Sequence, residues 1–389
     1  MSFDKLRTNG GGGDKIMLNR IQLMQKLEEI APNIFVDDSE AYKFVQTIWQ
    51  KLCADPLLAQ KLRDANVSWP LPSWEGKLDA VFDVAPRAES YCLVSVDGSQ
   101  IYPDRHYGLS CYLINVGQVV LRYGGHEKPV QLSSVPYVFS GYDDEEPVQV
   151  STELINCKRQ DLEFRYGVEL ATALTDDKES LLLLFDGSLI FWHLEAQDMV
   201  LKEAFLSRYI MHLMALYKQR ILTASYISLT KSRELLNIVR SYLCDFDEKN
   251  NKPDQSIDRI IDAAIVRSYL REGQRTTVFK NHARVSEQYP DAVHPHFFYI
   301  HVGTEIGRVE IPAWIAQDEA LVNRIATYMY DQCNKGGGYP VGLAEAHEQA
   351  VVKGPDREFF YHLLTKMSIS RKRGVVHSQK AQRKRSIGV

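Results

Sequence analysis

No CxxC pair occurs in this chain. Its six cysteines (Cys53, Cys92, Cys111, Cys157, Cys244, Cys333) are scattered, several of them inside apolar patterns. That excludes a zinc ribbon and a disulfide framework, and makes a reduced, cytoplasmic compartment the simpler expectation. No apolar run approaches the ~18–20 residues that cross a bilayer, so no membrane partner is expected. The polar, glycine-rich start from Met1 to Lys15 is no secretory signal. It reads as a disordered leader over 1–16, and Met17 is a candidate native start. The ATP-cradling phrase GxxxxGK[ST] is missing too. Gly10–Gly13 has no strand before it, and Gly336–Gly338 is a loop, so any ATP used is hydrolysed by a partner.

There is also no general excess of positive charge: the net charge is −4. Its distribution is uneven. Seven Lys or Arg and no acid lie between Ser370 and Val389, and the rest of the chain carries 39 basic residues against 50 acidic ones. A basic tail over 370–389 on an acidic body can reach a phosphate backbone, or it can simply be solvated. At 389 residues the chain can bury a full core.

Helical spacing of Ile21, Met24, Leu27 and Ile30, and of Phe44, Ile48 and Leu52, predicts an N-terminal helical region over 17–85. Trp69-Pro-Leu-Pro-Ser-Trp74 breaks that pattern. Three strands are expected at Tyr91–Val96, Tyr107–Val116 and Gln118–Tyr123, with Gly117 at a tight turn between the last two. An acidic loop follows at Asp143–Glu146. A helix over 159–174, a turn at Asp176–Glu179, a buried strand over 180–190, a long helix and another strand come next. A late hairpin (Phe297–Val302 and Gly307–Ile311) and several helices complete the domain, 86–369. Three meandering strands followed by alternating helices and strands imply an α/β fold: a ribonuclease-H-like mixed sheet flanked by helices.

One phrase occurs twice. Leu93-Val-Ser-Val-Asp97-Gly-Ser99 and Leu181-Leu-Leu-Leu-Phe-Asp186-Gly-Ser188 each deliver a carboxylate where an apolar strand stops, on a turn that glycine makes cheap. Alone, such a phrase is usually a turn. Two of them with a helix between suggest two acids brought to one sheet edge. In the ribonuclease-H-like layout the acids fall on a first-strand Asp, a first-helix Glu and a fourth-strand Asp, here Asp97, Glu169 and Asp186. Such a set suits Mg²⁺ or Mn²⁺ and phosphodiester hydrolysis. His347 would tilt it toward Mn²⁺. Leu343 shares a face with His347 and would turn it inward, and Tyr339 precedes their helix.

The set Val96-Asp97-Gly98-Ser99, Glu169, Phe185-Asp186-Gly187-Ser188-Leu189, Tyr339-Pro340 and Ala346-His347 resembles the NurA nucleases, over about residues 90 to 350. The resemblance implies a Mn²⁺-dependent DNA nuclease with single-strand endonuclease and 5′-to-3′ exonuclease activity. It also implies a homodimer, and partnership with a hexameric HerA-type ATPase-translocase in DNA double-strand break end resection. Asp97, Glu169, Asp186 and His347 would then be metal ligands, with His347 a ligand or an acid/base and Tyr339 an active-site contact. Lys231, just past a strand end, is a candidate contact for the scissile phosphate. Two other readings compete. One is a non-catalytic adaptor that clamps DNA on a dead nuclease scaffold; the other is a ribonuclease or nucleotidyl-transfer enzyme on the same fold.

Overall fold

The structure is a computed structural model that describes residues 18–86, 90–104, 111–124, 130–141, 150–174, 181–250 and 257–371. The leader, Met17, the acidic loop at Asp143–Glu146, the turn at Asp176–Glu179 and the tail beyond Arg371 lie outside the described residues.

The N-terminal region forms α1 (Arg20–Ile34), α2 (Ser39–Cys53) and α3 (Leu58–Arg63), followed by the short strands β1 (Ser73–Trp74) and β2 (Val81–Asp83). The centre of the fold is β3 (Tyr91–Ile101), β4 (Cys111–Tyr123), β5 (Gln131–Ser140), α4 (Thr152–Ala173), β6 (Leu181–Asp186), α5 (Met199–Gln219) and β7 (Leu222–Ile227). The chain continues through α6 (Glu234–Leu243), α7 (Asp262–Arg267), β8 (Gln274–Thr276), β9 (Phe279–Lys280), β10 (Pro295–His301) and β11 (Ile306–Pro312). It ends in α8 (Ala313–Ala316), α9 (Glu319–Lys335), α10 (Val341–Ala350) and α11 (Gly354–Ser370).

All these strands join one mixed sheet in the order β1-β9-β10-β11-β7-β6-β3-β4-β5, with β8 attached to β10 and β2. β3, β6 and β7 are parallel to one another, and the remaining pairs are antiparallel. The protein is therefore α/β, with helices on both faces of the sheet. The apolar run of β3 is continuous because both of its faces are covered. Cys92, Val94 and Val96 pack under α4 and α5, whereas Tyr91 and Leu93 pack under α9 and α10. A third core, beneath α2, α6 and α7, covers the β9–β10 end of the sheet. Polar caps fix where the central helices start. Ser151 Oγ accepts from Leu154 N (3.1 Å), and Asp198 Oδ1 accepts from Leu201 N (3.0 Å).

Two local expectations are corrected. Gly117 makes no turn: β4 runs unbroken through it, and the third strand of the meander is β5. Glycine stands there because α10 crosses the strand at close range. A Cβ on Gly117 would lie 2.4 Å from Ala346 O and 2.5 Å from Ala350 N. Nor is Gly98 a turn, since β3 continues to Ile101. Of the two Asp-Gly-Ser phrases only the second ends its strand, with Gly187 at φ +86°.

Gly117→Ala should therefore overpack a backbone contact that cannot yield. The expected loss is about 1–3 kcal/mol in urea-induced unfolding. A change within about 0.5 kcal/mol, the level of an ordinary surface substitution, would contradict the close crossing.

Candidate active site

Strand register brings the two aspartates together. In the parallel β3–β6 pair, Val96 lies opposite Phe185. Asp97 and Asp186 come next on adjacent strands, about 4.8 Å apart in the hydrogen-bonding direction, and strand alternation turns both to one face. Helix α10 supplies the next group. His347 Nδ1 donates to Asp97 Oδ2 (2.8 Å), while Asp97 Oδ1 accepts from Gly98 N (2.8 Å). The His347 side chain is 64 % exposed, so it does not turn inward as expected; only Leu343 is buried. The far ring nitrogen of His347 is left toward solvent. Tyr339, in the loop before α10, donates its hydroxyl to Asp186. Burial, and then the Asp186 carboxylate, push the Tyr339 pKa up and keep the phenol protonated.

The two serines of the doubled phrase are anchors. Ser99 Oγ donates to Ala350 O (2.5 Å), and Asn115 Nδ2 donates to the same carbonyl (2.7 Å), so the end of α10 is tied to β3 and β4. Ser188 Oγ and Leu189 N both donate to Glu310 Oε2 (2.7 and 2.8 Å). Glu310 is fully buried on β11. Its other oxygen accepts from Arg308 Nε (2.8 Å), and Arg308 Nη1 reaches Glu234 Oε1 (2.8 Å). The chain leaving Asp186 is thus fastened to a buried ion-pair network rather than left as a free loop.

The helix carboxylate differs from the expected one. Glu169 is 53 % exposed and forms a surface pair with Arg165 (Nε to Oε1, 2.9 Å) on the far side of α4, so it does not join the aspartates. The α4 carboxylate whose charge both aspartates act on is Glu163, which lies against Gly98. The missing Cβ of Gly98 leaves room for it: an added Cβ would sit 2.5 Å from Glu163 Oε1 and 2.7 Å from Arg159 Cγ. Arg159 Nη1 lies 3.1 Å from Glu163 Oε1 but donates its hydrogen bond to Gly98 O (2.9 Å). Glu163 Oε1 is consequently buried without a hydrogen-bond partner. The Glu163 pKa is pushed from its ordinary 4.5 to about 8: burial raises it most, Arg159 opposes that, and the charges of Asp97 and Asp186 add to the rise. The Asp186 pKa is raised as well, first by burial and then by Asp97, against the hydrogen bond from Tyr339. A signal for Glu163 was present in the sequence. Glu163, Gly167 and Ala171 recur at every fourth position, and small residues mark the helix face that touches a sheet. A Cβ on Gly167 would meet Val96, Leu183 and Phe185 at 3.1–3.2 Å.

Lys231 is exposed, beyond the carboxyl end of β7, the neighbour of β6. Among the described residues no group of three or more His, Cys, Asp or Glu is arranged as a ready-made metal cage. No helix among them is long and apolar enough to cross a membrane.

Fold and site together define the class: an α/β protein in which Asp97 and Asp186 stand side by side on parallel strands, flanked by a histidine and a tyrosine. The family follows from comparison. The family model of the NurA domain matches residues 93–352, from within β3 to just past α10, and the chain belongs to the NurA family. Membership implies nuclease activity. A search of curated proteins found no match.

The acid cluster has a measurable consequence without metal. The folded-state pKa of Glu163 lies above its unfolded value, so between about 4.5 and 8 the folded chain holds a proton that the unfolded chain releases. Stability then falls as pH rises through that window. In chelator, the urea midpoint of the wild type should drop between pH 5 and pH 8, and Glu163→Gln should flatten the drop. Identical pH profiles for the two proteins would contradict the assignment.

Proposed function

We propose that this chain is a divalent-metal-dependent DNA nuclease whose metal-holding acids are Asp97, Asp186 and Glu163. One observation carries the reading: Asp97 and Asp186, far apart in sequence, stand side by side on parallel strands, and their charges help raise the proton affinity of Glu163 on α4. Such an arrangement is costly unless a cation offsets it. The donor set fits that cation. Glu163 presents a buried oxygen with no hydrogen-bond partner, and oxygen donors suit Mg²⁺ or Mn²⁺. The His347 imidazole favours Mn²⁺. When bound, the cation would neutralise charge developing on the phosphoryl oxygens and support the leaving oxygen.

The chain's own groups have separable tasks. Asp97 fixes the His347 ring through Nδ1, which leaves the opposite nitrogen to hold or pass a proton at the solvent side. Tyr339 orients Asp186 and stays a hydrogen-bond donor across the ordinary pH range. Arg159, tied to Gly98 O, keeps a positive charge beside Glu163. Lys231 is the proposed contact for the phosphate backbone.

Strand order supports the ribonuclease-H-like reading. Counted from β3, the five central strands lie in the order 3-2-1-4-5, with the first, fourth and fifth parallel. On the family resemblance, the proposal extends to single-strand endonuclease and 5′-to-3′ exonuclease activity in end resection, to a homodimer and to a HerA-type ATPase partner. A clustered acid set has no use in a DNA-clamping adaptor, so the catalytic reading is preferred.

End-labelled DNA incubated with Mn²⁺, Mg²⁺ or chelator tests the proposal. Cleavage should require metal. Asp97→Ala, Asp186→Ala and Glu163→Ala should each lower it by about 100-fold or more, beyond the usual range for groups outside the ligand set. Glu169→Ala should stay within a few-fold of wild type, as expected for an exposed pair. Cleavage in chelator, or a loss in Glu169→Ala with none in Glu163→Ala, would reject it.

A further inference from the structure

The segment leaving the acid cluster carries an exposed tryptophan. After Ser188, the short 3₁₀ turn Trp192–Ala196 is pinned by Phe191 and Leu194, both fully buried. Trp192 (38 % exposed) and His193 between them face outward. A large aromatic side chain on a rigid turn, with its surface left in water, is a contact surface in waiting.

Trp192 does not stand alone. It lines an open cavity of about 470 Å³ together with Trp69, Pro70 and Leu71. The Trp69 indole nitrogen donates to Ser241 Oγ (3.0 Å), which fixes the ring and uses its only polar atom inside the protein. Two of the chain's five tryptophans therefore face one cavity. Arg284, exposed, and His282 stand at its rim. Glu195 also lines it, but accepts from Val285 N (3.1 Å).

The cavity lies close to Asp186 along the chain: Trp192 follows Asp186 by six residues, and its neighbour Phe191 packs edge-on against Phe164 of α4 (ring centroids 5.5 Å), the residue after Glu163. Glu163 lies 3.1 Å from Arg159 Nη1, and the His193 pKa is lowered first by burial and then by the positive charge of Arg159. His193 adjoins Trp192. Glu287 also lines the cavity, and the aromatic faces with Arg284 beside them offer what an unpaired strand needs: charge for its backbone and flat surfaces for its bases.

We propose that the cavity between Trp192 and Trp69 stacks an unpaired nucleobase of a single-stranded substrate, with Arg284 placed for the adjoining phosphate. The proposal rests on the nuclease reading for its choice of ligand, but it concerns binding and not cutting. Its test is therefore run on the full chain in chelator. Fluorescence anisotropy of a labelled oligothymidylate is compared with that of an abasic deoxyribose-phosphate strand of equal length. Trp192→Ala should bind the oligothymidylate about tenfold more weakly than wild type, and Trp192→Phe, which keeps a stacking face, should stay within about threefold. Wild type and Trp192→Ala should bind the abasic strand alike. Thermal melting checks that both variants fold. Equal oligothymidylate affinity in wild type and Trp192→Ala overturns the proposal. So does equal wild-type affinity for the two strands, or no binding of either. Metal-dependent cleavage with no base-dependent binding would sink the stacking slot and leave the nuclease reading standing. Base-dependent binding without cleavage would do the reverse.

Discussion

Everything at the site depends on one alignment: β3 and β6 run parallel, with Val96 opposite Phe185. A slip of one residue would send one aspartate to the other face of the sheet and dissolve the cluster. Apolar burial prevents that slip. Residues on both faces of β3 and β6 are locked into separate cores under α4–α5 and α9–α10, so neither strand can move without exposing one of them. The like charges are thus held together by hydrophobic packing that has no direct part in the chemistry. The raised pKa of Glu163 records first its own burial and then, against Arg159, the charges of Asp97 and Asp186.

The anchors around the cluster serve the same end. Glycines at 98, 117 and 342 let α4 and α10 approach the sheet more closely than any side chain at those positions would allow. Glu310 holds the chain after Asp186 through Ser188 and Leu189, and is itself held by buried Arg308. A buried ion pair is a weak source of stability, but breaking one is severe. Its position under the second Asp-Gly-Ser phrase gives it the role of fixing a direction for Asp186.

Much of this was legible in the sequence, for physical reasons. Asp97 and Asp186 stood out because each follows a strong apolar run, although only Asp186 ends its strand. The meander followed by alternating helices and strands led to the mixed α/β sheet. The helix acid was harder to read. Glu169 and Glu163 are six residues apart on one helix, and the layout alone does not choose between them; the Arg165–Glu169 pair marks a solvated face. The small residues Gly167 and Ala171, not the charges, identify the face that meets the sheet. Gly117 misled in the other direction. A glycine inside a strand pattern reads as a turn until the helix crossing above it is known. The anchoring role of the two serines depends on partners more than 120 residues away, which no local pattern reveals.

The central claim is that Asp97, Asp186 and Glu163 act together on a divalent cation. Anomalous diffraction from crystals grown with Mn²⁺ tests it most directly. The account predicts a peak within coordination distance of carboxylate oxygens from all three residues, and none beside Glu169. A peak elsewhere, or an acid cluster that leaves Glu163 still turned to Arg159 with Mn²⁺ bound by other groups, would contradict it.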